Sequence, residues 1–118
     1  MSRASLLLVE DDRDLRRALG EALSLRGFDV YPAADAEAAR AALAARRFDA
    51  VLTDWCIPGN GAGVVAAVER HAPGTPVVVL SALEPEENAL RSPVLREWLR
   101  KPVHVDRLAE TLRRVIGD

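Results

Sequence analysis

The sequence predicts an α/β fold built on a parallel β-sheet with helices on both faces. Strand-length apolar runs alternate along the chain with helical patterns, which is the order that βαβ units produce. Three of the runs are continuously apolar, as is typical of strands that are buried on both sides. The length of 118 residues fits one compact domain, so we expect a single domain over 1–118.

Five apolar runs have the length of strands and four segments between them have the pattern of helices. The predicted strands are 5–10, 28–33, 49–54, 76–82 and 97–101, and the predicted helices are 13–26, 35–47, 62–72 and 105–116. Gly27 marks the end of the first helix, and Asp35 caps the start of the second. The segment 84–96 is the weakest, because Pro93 limits any helix there to about two turns.

Composition argues against several classes of protein. The formal net charge of −2 offers neither a nucleic-acid patch nor a polybasic membrane surface. No run approaches the roughly 20 apolar residues that span a bilayer, and the N-terminal apolar run is too short for a signal peptide. Cys56 is the single cysteine, which excludes a disulfide within the chain. We therefore expect a cytoplasmic domain that binds neither membrane nor nucleic acid directly.

Polar side chains follow the predicted strands at their carboxyl ends, where open parallel sheets place their sites. They are Glu10, Asp11 and Asp12 after the first strand, Asp54 at the third, Ser81 at the fourth and Lys101 at the fifth. Oxygen ligands without His or Cys favour Mg²⁺ or Mn²⁺. With a hydroxyl and an ammonium opposite, the set suits a phosphoryl group that a carboxylate attacks in line.

Each of these residues also has an ordinary structural explanation. Asp12 and Ser81 are placed to cap helices, and Asp54 precedes a proline–glycine segment that a turn would use. Glu10 and Asp11 would then be solvated acids at a strand end. The explanations hold singly, but they account poorly for polar residues at the ends of four strands.

Lys101 is the only lysine among 16 basic residues. A coding bias explains the 15 arginines, but it does not explain the exception. Lysine is a compact charge on a flexible stem and arginine is a planar fork, so the two are not interchangeable at a site shaped for one. Either chance or a site that needs an ammonium accounts for Lys101.

The motifs LLLVEDD, LTDWCIP, VVVLSA and WLRKP, in that order, resemble those of a response-regulator receiver domain of two-component signalling. Each motif is weak alone, but the ordered set is specific and extends over essentially the whole chain. The resemblance implies a flavodoxin-like (βα)₅ three-layer sandwich with strand order 2-1-3-4-5. It implies a signalling domain rather than an enzyme, served by a histidine kinase or phosphotransfer protein and acting on a downstream protein or output domain, with homodimer formation left open.

The resemblance also implies the chemical roles. The phospho-acceptor falls on Asp54 and the phosphate-binding lysine on Lys101. This match argues against chance as the explanation for the single lysine. The acid pair falls on Glu10 and Asp11, so that Asp11 binds Mg²⁺ directly and Glu10 binds it through water. The remaining protein ligand is the main-chain carbonyl of Cys56.

The switch residues implied by the resemblance are Ser81 and Trp98. The phosphoryl group draws Ser81 inward, and the aromatic residue rotates into the vacated space, which changes the face of the fourth helix, fifth strand and fifth helix. Trp98 departs from the usual Tyr or Phe, and Pro93 predicts a short or irregular fourth helix. The bond before Pro102 is implied to be cis.

Three further features carry hypotheses beside an ordinary explanation. The glycine-rich 59–63 lacks the lysine and hydroxyl of a P-loop, and we expect a mobile rim there. Ala62, flanked by Gly61 and Gly63, takes the place of the family's usual glycine. The Cys56 thiol is either a redox-sensitive group at the pocket mouth or a passive residue. His104 is either a pH-sensitive group or a solvated residue at a helix start.

Two other functions compete with a phosphorylated receiver. A pseudo-receiver would keep the fold and bind partners without phosphate, which Trp98 and the altered fourth helix favour. A haloacid-dehalogenase-type phosphohydrolase also uses an aspartate after a strand, but it needs a second acid two residues later, where this chain has Cys56.

Overall fold

The computed structural model describes residues 3–117, which contain five strands and five helices in alternation. The strands are β1 (Ala4–Val9), β2 (Phe28–Ala33), β3 (Ala50–Thr53), β4 (Val77–Ser81) and β5 (Leu95–Arg100), and the helices are α1 (Arg13–Leu25), α2 (Ala36–Ala45), α3 (Asn60–His71), α4 (Glu87–Leu90) and α5 (Val105–Ile116). All neighbouring strands are parallel, in the order β2-β1-β3-β4-β5. The predicted flavodoxin-like fold is therefore confirmed.

The central strands are apolar throughout because helices cover both faces of the sheet. Leu7 and Val9 face one side and pack in a cluster with residues of α2 and α3. Leu6 and Leu8 face the other side and pack with residues of α1 and α5. Burial on both faces explains why these strands show no alternation of apolar and polar residues.

Carboxylates cap the first two helices as the sequence predicted. Asp12 accepts a hydrogen bond from the Leu15 amide at 3.0 Å, and Asp35 accepts one from the Ala38 amide at 2.7 Å. Gly27 follows α1 with a φ of 97°. Each of the two helices therefore begins at the residue after its capping aspartate.

The glycine-rich segment after β3 lies mostly within a helix, and the mobility that we predict for 59–63 stays a prediction. Helix α3 begins at Asn60, two residues earlier than the predicted start at position 62, and Gly59 is its N-cap with a φ of 80°. A Cβ atom on Gly61 would lie 2.4 Å from Cε3 of Trp55 and 2.8 Å from its Cα atom. Gly61 therefore provides close packing, a contact that the pattern of glycines alone did not reveal.

The helices differ greatly in length. Helix α1 has 13 residues, whereas α4 has 4 and ends before Pro93, which confirms the short fourth helix. Strand β5 begins at Leu95, two residues before the predicted start at 97. No helix within the described residues is long and apolar enough to cross a membrane.

Candidate functional site

The carboxyl ends of four strands bring the predicted polar residues to one edge of the sheet. Glu10 follows β1, Asp54 follows β3, Ser81 ends β4 and Lys101 follows β5. Main-chain hydrogen bonds extend the sheet into this edge, from the Asp54 amide to the Val9 carbonyl at 3.1 Å and from the Lys101 amide to the Ser81 carbonyl at 2.9 Å. The site is thus built on the ends of the sheet rather than on independent loops.

Asp54 has both carboxylate oxygens engaged. Its Oδ2 atom accepts a hydrogen bond from Lys101 Nζ at 2.8 Å, and its Oδ1 atom accepts one from the Cys56 amide at 3.0 Å. Only 13% of the Asp54 side chain is exposed. The residue therefore begins a turn, as the ordinary explanation supposed, and at the same time contacts the lone lysine.

Glu10 is a buried carboxylic acid. Its side chain is 4% exposed, its Oε2 atom accepts from the Asp12 amide at 3.1 Å, and its Oε1 atom lies 3.7 Å from Lys101 Nζ. Burial raises the pKa of Glu10, and the Asp12 amide and the Lys101 charge offset this only in part. The Asp54 charge and a hydrogen bond with the Asp11 side chain raise the Glu10 pKa further, so both neighbouring acids disfavour the charged form of Glu10.

Lys101 supplies positive charge between two carboxylates. Burial alone would lower the pKa of Lys101, but the hydrogen bond and charge of Asp54, together with Glu10, outweigh burial and raise it. The ammonium therefore remains charged at neutral pH. The Lys101-Pro102 peptide bond is cis, as the resemblance implied.

The acid groups fit a divalent cation by their chemistry. Glu10, Asp11 and Asp54 carry carboxylates, and a single ammonium, that of Lys101, contacts Glu10 and Asp54. Negative charge is left over among hard oxygen donors, which is the environment that Mg²⁺ and Mn²⁺ prefer. Within residues 3–117, however, no three side chains of His, Cys, Asp or Glu are already gathered as a metal cluster. The predicted ligand set needs the Cys56 carbonyl in addition to side chains.

Ser81 lies at the bottom of the site. The residue is fully buried, and its Oγ atom accepts a hydrogen bond from the Leu83 amide at 3.1 Å. Thr53, also fully buried, donates its hydroxyl to the Asp54 carbonyl at 2.8 Å. No sequence pattern singles out Thr53, because a threonine at a strand end is common.

Arg16 is a second site residue that the sequence reasoning missed. Its guanidinium donates to the main-chain carbonyl of Glu10 at 2.7 Å and to that of Asp11 at 3.4 Å. The one available signal was its place off the apolar stripe of α1, within the first turns after the acidic residues. Many surface arginines share that signal, so it does not identify a function.

Trp98 is held from two directions. Its ring lies against that of Trp55, with centroids 5.0 Å apart and planes at 49°. Its indole Nε1 donates to the Leu83 carbonyl at 3.0 Å. Since the Leu83 amide donates to Ser81, the main chain of Leu83 connects the two predicted switch residues.

The remaining predicted residues lie at the margin of the site. His104 caps α5, since its Nδ1 atom accepts from the Asp106 amide at 3.2 Å, and it is exposed, as its ordinary explanation predicted. Cys56 is exposed as a free thiol. Its accessibility is what the redox hypothesis requires, and the hypothesis itself stays a prediction.

Comparisons with known proteins agree with this geometry. The chain matches the family model of the response regulator receiver domain over residues 6–113. It is 35% identical over 114 residues to the response regulator protein PilR of Pseudomonas aeruginosa, which covers 93% of this chain. The alignment covers 25% of that relative, so the chain spans about a quarter of its length.

Solved structures show the same fold. The chemotaxis protein CheY4 of Vibrio cholerae superposes with a TM-score of 0.86 and 28% identity, over 97% of this chain and 99% of that chain. The receiver domain of a sensor histidine kinase of Pseudomonas aeruginosa superposes with a TM-score of 0.87 and 25% identity, over 99% of this chain and 100% of that one. That structure contains a magnesium ion coordinated in its active-site cleft.

Proposed function

The chain belongs to the response regulator receiver domain family, and from that premise we propose that Asp54 accepts a phosphoryl group from a histidine kinase or a phosphotransfer protein. The observation that carries the proposal is the 2.8 Å contact between Asp54 Oδ2 and Lys101 Nζ at the end of the sheet. The domain acts in the cytoplasm, as a signalling receiver for a downstream protein or output domain.

The chemistry follows from the two groups in contact. A carboxylate oxygen of Asp54 attacks phosphorus in line, forming a P–O bond while the bond between phosphorus and the donor's histidine nitrogen breaks. The Lys101 ammonium, already beside Asp54, then neutralises an oxygen of the transferred group. Because its pKa is raised, Lys101 provides this charge throughout the neutral range.

Asp11, Asp54 and the main-chain carbonyl of Cys56 would hold Mg²⁺ or Mn²⁺, with Glu10 acting through a water molecule. The bound ion supplies positive charge to the oxygens of the phosphoryl group. Glu10 contributes a buried side chain beside Asp54, and the Asp54 charge raises the pKa of Glu10, so a cation at this edge would stabilise both carboxylates.

Ser81 connects phosphorylation to the output face. Its hydroxyl would donate to an oxygen of the phosphoryl group, and in turning it would leave the Leu83 amide without its acceptor. The Leu83 carbonyl also accepts a hydrogen bond from the indole of Trp98. A displacement of Leu83 would therefore be transmitted to Trp98 in β5. The face formed by α4, β5 and α5 would then change for a partner.

Mass spectrometry tests the proposal. Incubation with acetyl phosphate and Mg²⁺ should add one phosphate mass to the wild-type chain and none to Asp54→Asn. Asp14→Asn, an exposed aspartate of α1, should keep the adduct. Absence of the adduct in the wild type, or its persistence in Asp54→Asn, would contradict the proposal.

A pseudo-receiver is the second candidate, and the fixed position of Trp98 favours it. Rotation of Trp98 would break both its contact with the Trp55 ring and its hydrogen bond to the Leu83 carbonyl. Titration of Mg²⁺ with beryllofluoride distinguishes the two functions through tryptophan fluorescence. A clear change supports the phosphorylated receiver, and a flat titration supports the pseudo-receiver.

A further inference from the structure

We propose that Arg16 is a positioning residue for the acid pair, and that its guanidinium sets the affinity of the site for a divalent cation. The inference rests on the proposed function, because it concerns how Glu10 and Asp11 are presented to Mg²⁺. Arg16 would act through the main chain, without contacting the cation or the phosphoryl group.

The contacts of Arg16 cover the whole junction between β1 and α1. The guanidinium donates to the carbonyls of Glu10 and Asp11, at 2.7 and 3.4 Å. The Arg16 amide donates to the carbonyl of Asp12 at 2.8 Å. A single residue therefore attaches to three consecutive carbonyls in the segment that carries the acid pair.

The Glu10 carbonyl depends on Arg16 more than the others do. The Glu10 amide pairs with the Ala33 carbonyl at 3.0 Å, which continues the ladder between β1 and β2. Its carbonyl is partly buried where it accepts from Arg16 at 2.7 Å. A buried carbonyl without a donor is costly, so removal of the guanidinium would shift this main chain toward another donor.

The charge of Arg16 is directed at carbonyls and leaves the carboxylates free. Among the ion pairs of residues 3–117, the acids that pair with Lys101 are Glu10 and Asp54, and none pairs with Arg16. A cation would therefore not have to displace an arginine from its ligands. Groups that orient metal ligands from behind typically change metal affinity by about 10- to 100-fold when removed.

Arg17, the next residue, offers a matched control. Its side chain is 80% exposed and pairs with Glu21, one turn along α1, at 3.3 Å. It has the same charge and helical context as Arg16, which is half-buried. A comparison of the two therefore separates contact with the junction from charge alone.

The test measures Mg²⁺ binding to the full chain by calorimetry. Arg16→Met should raise the Kd for Mg²⁺ about tenfold. Arg16→Lys should lie between Arg16→Met and wild type, since an ammonium keeps the charge and lacks the planar fork. Arg17→Met should bind as the wild type does.

A metal-free readout accompanies the binding experiment. In EDTA, amide hydrogen exchange at Glu10 and Asp12 should be faster in Arg16→Met than in wild type, and unchanged in Arg17→Met. Saturating Mg²⁺ should restore the phosphorylation rate of Arg16→Met, because the loss lies in cation affinity.

The outcomes separate the inference from the proposed function. A folded Arg16→Met with the wild-type Kd overturns the inference even when its unfolding midpoint falls. Should Arg16→Met fail to fold, Arg16→Lys decides in its place, and an unchanged Kd overturns the inference. A wild-type chain that binds no Mg²⁺ and accepts no phosphate overturns the proposed function itself.

Discussion

The segments that follow β3 and β4 both reach the site, but they are held by different kinds of contact. The segment 54–61 is fixed through main chain, since the Gly61 amide donates to the Trp55 carbonyl at 2.8 Å and the Ala36 amide donates to the Pro58 carbonyl at 3.0 Å. Packing adds to this, because Gly61 lies directly against Trp55.

The first part of the segment 82–86 is held by side-chain contacts. Ser81 accepts from the Leu83 amide, Trp98 donates to the Leu83 carbonyl, and Arg100 forms an ion pair with Glu84. A side-chain contact is broken by rotation about a side-chain bond, whereas a main-chain hydrogen bond is broken only when the backbone itself moves. We therefore predict that the segment 54–61 keeps its position around Asp54 and that the segment 82–86 is the more mobile of the two.

Lys101 contacts Asp54 in the first segment and Ser81, the residue just before the second, and its removal should have the largest effect. Its side chain contacts Asp54, and its amide donates to the Ser81 carbonyl. Lys101→Met should lower the rate of phosphorylation by acetyl phosphate about 100-fold, as expected for loss of a donor to developing charge. Arg100→Met, which removes the neighbouring cation, should keep the rate. A rate for Lys101→Met within about threefold of wild type would show that the ammonium is not part of the chemistry.

A substitution at Gly61 tests the fixed segment. Gly61→Ala would place a Cβ 2.4 Å from Trp55, so it should lower the free energy of unfolding by about 2 kcal/mol, as measured by urea denaturation. Gly74→Ala has nothing within 4 Å and should change stability by less than about 1 kcal/mol. Equal effects at the two positions would contradict the packing argument.

A substitution at Trp98 tests the movable segment. Trp98→Phe keeps a ring beside Trp55 and loses the donor to the Leu83 carbonyl, so it should lower the free energy of unfolding by about 1 kcal/mol. The phosphorylation rate should stay near that of wild type, because the main-chain contacts around Asp54 in the segment 54–61 do not involve the hydrogen bond from Trp98 to Leu83. A fall as large as that of Lys101→Met would show that the two segments are not independent.

The smallest expected effect is a pH dependence from Glu10. Burial raises its pKa above the usual 4.5, so its contribution to stability is full below about pH 4.5 and is lost as pH rises through the folded value. In EDTA, Glu10→Gln should therefore unfold at higher urea than wild type at pH 7, with the difference shrinking toward pH 4.5. Glu110→Gln, at an exposed position, serves as the control. A difference that grew on acidification would mean that the sign is wrong.

The sheet and the residues at its edge were predictable from sequence because topology determines them. A strand's end follows from its apolar run, and parallel strands place their carboxyl ends together. The sequence therefore predicts that the residues at the strand ends share one edge of the sheet, namely Glu10, Asp54, Ser81 and Lys101. Caps such as Asp12 were predictable too, since they depend on contacts three residues apart.

The contacts that were missed depend on distances between elements. The contact of Gly61 with Trp55 depends on how α3 approaches β3. The cluster of glycines suggested a mobile loop, whereas at position 61 the packing requires a residue without a side chain. The hydrogen bond from Trp98 to Leu83 joins β5 to the segment after β4, between residues 15 positions apart. The Arg16 contacts depend on a rotamer, which no pattern of apolar and polar residues specifies.

The single lysine gives the chain an unusual chemical selectivity. Fifteen arginines carry the remaining basic charge, so Lys101 holds the one side-chain amine, and 27% of that side chain is exposed. A reagent or an acetyltransferase that targets lysine ε-amines therefore has one side chain to modify, and it is the one that contacts Asp54. Acylation at that nitrogen would remove its charge, so that labelling of this protein and inactivation of its site would be a single event.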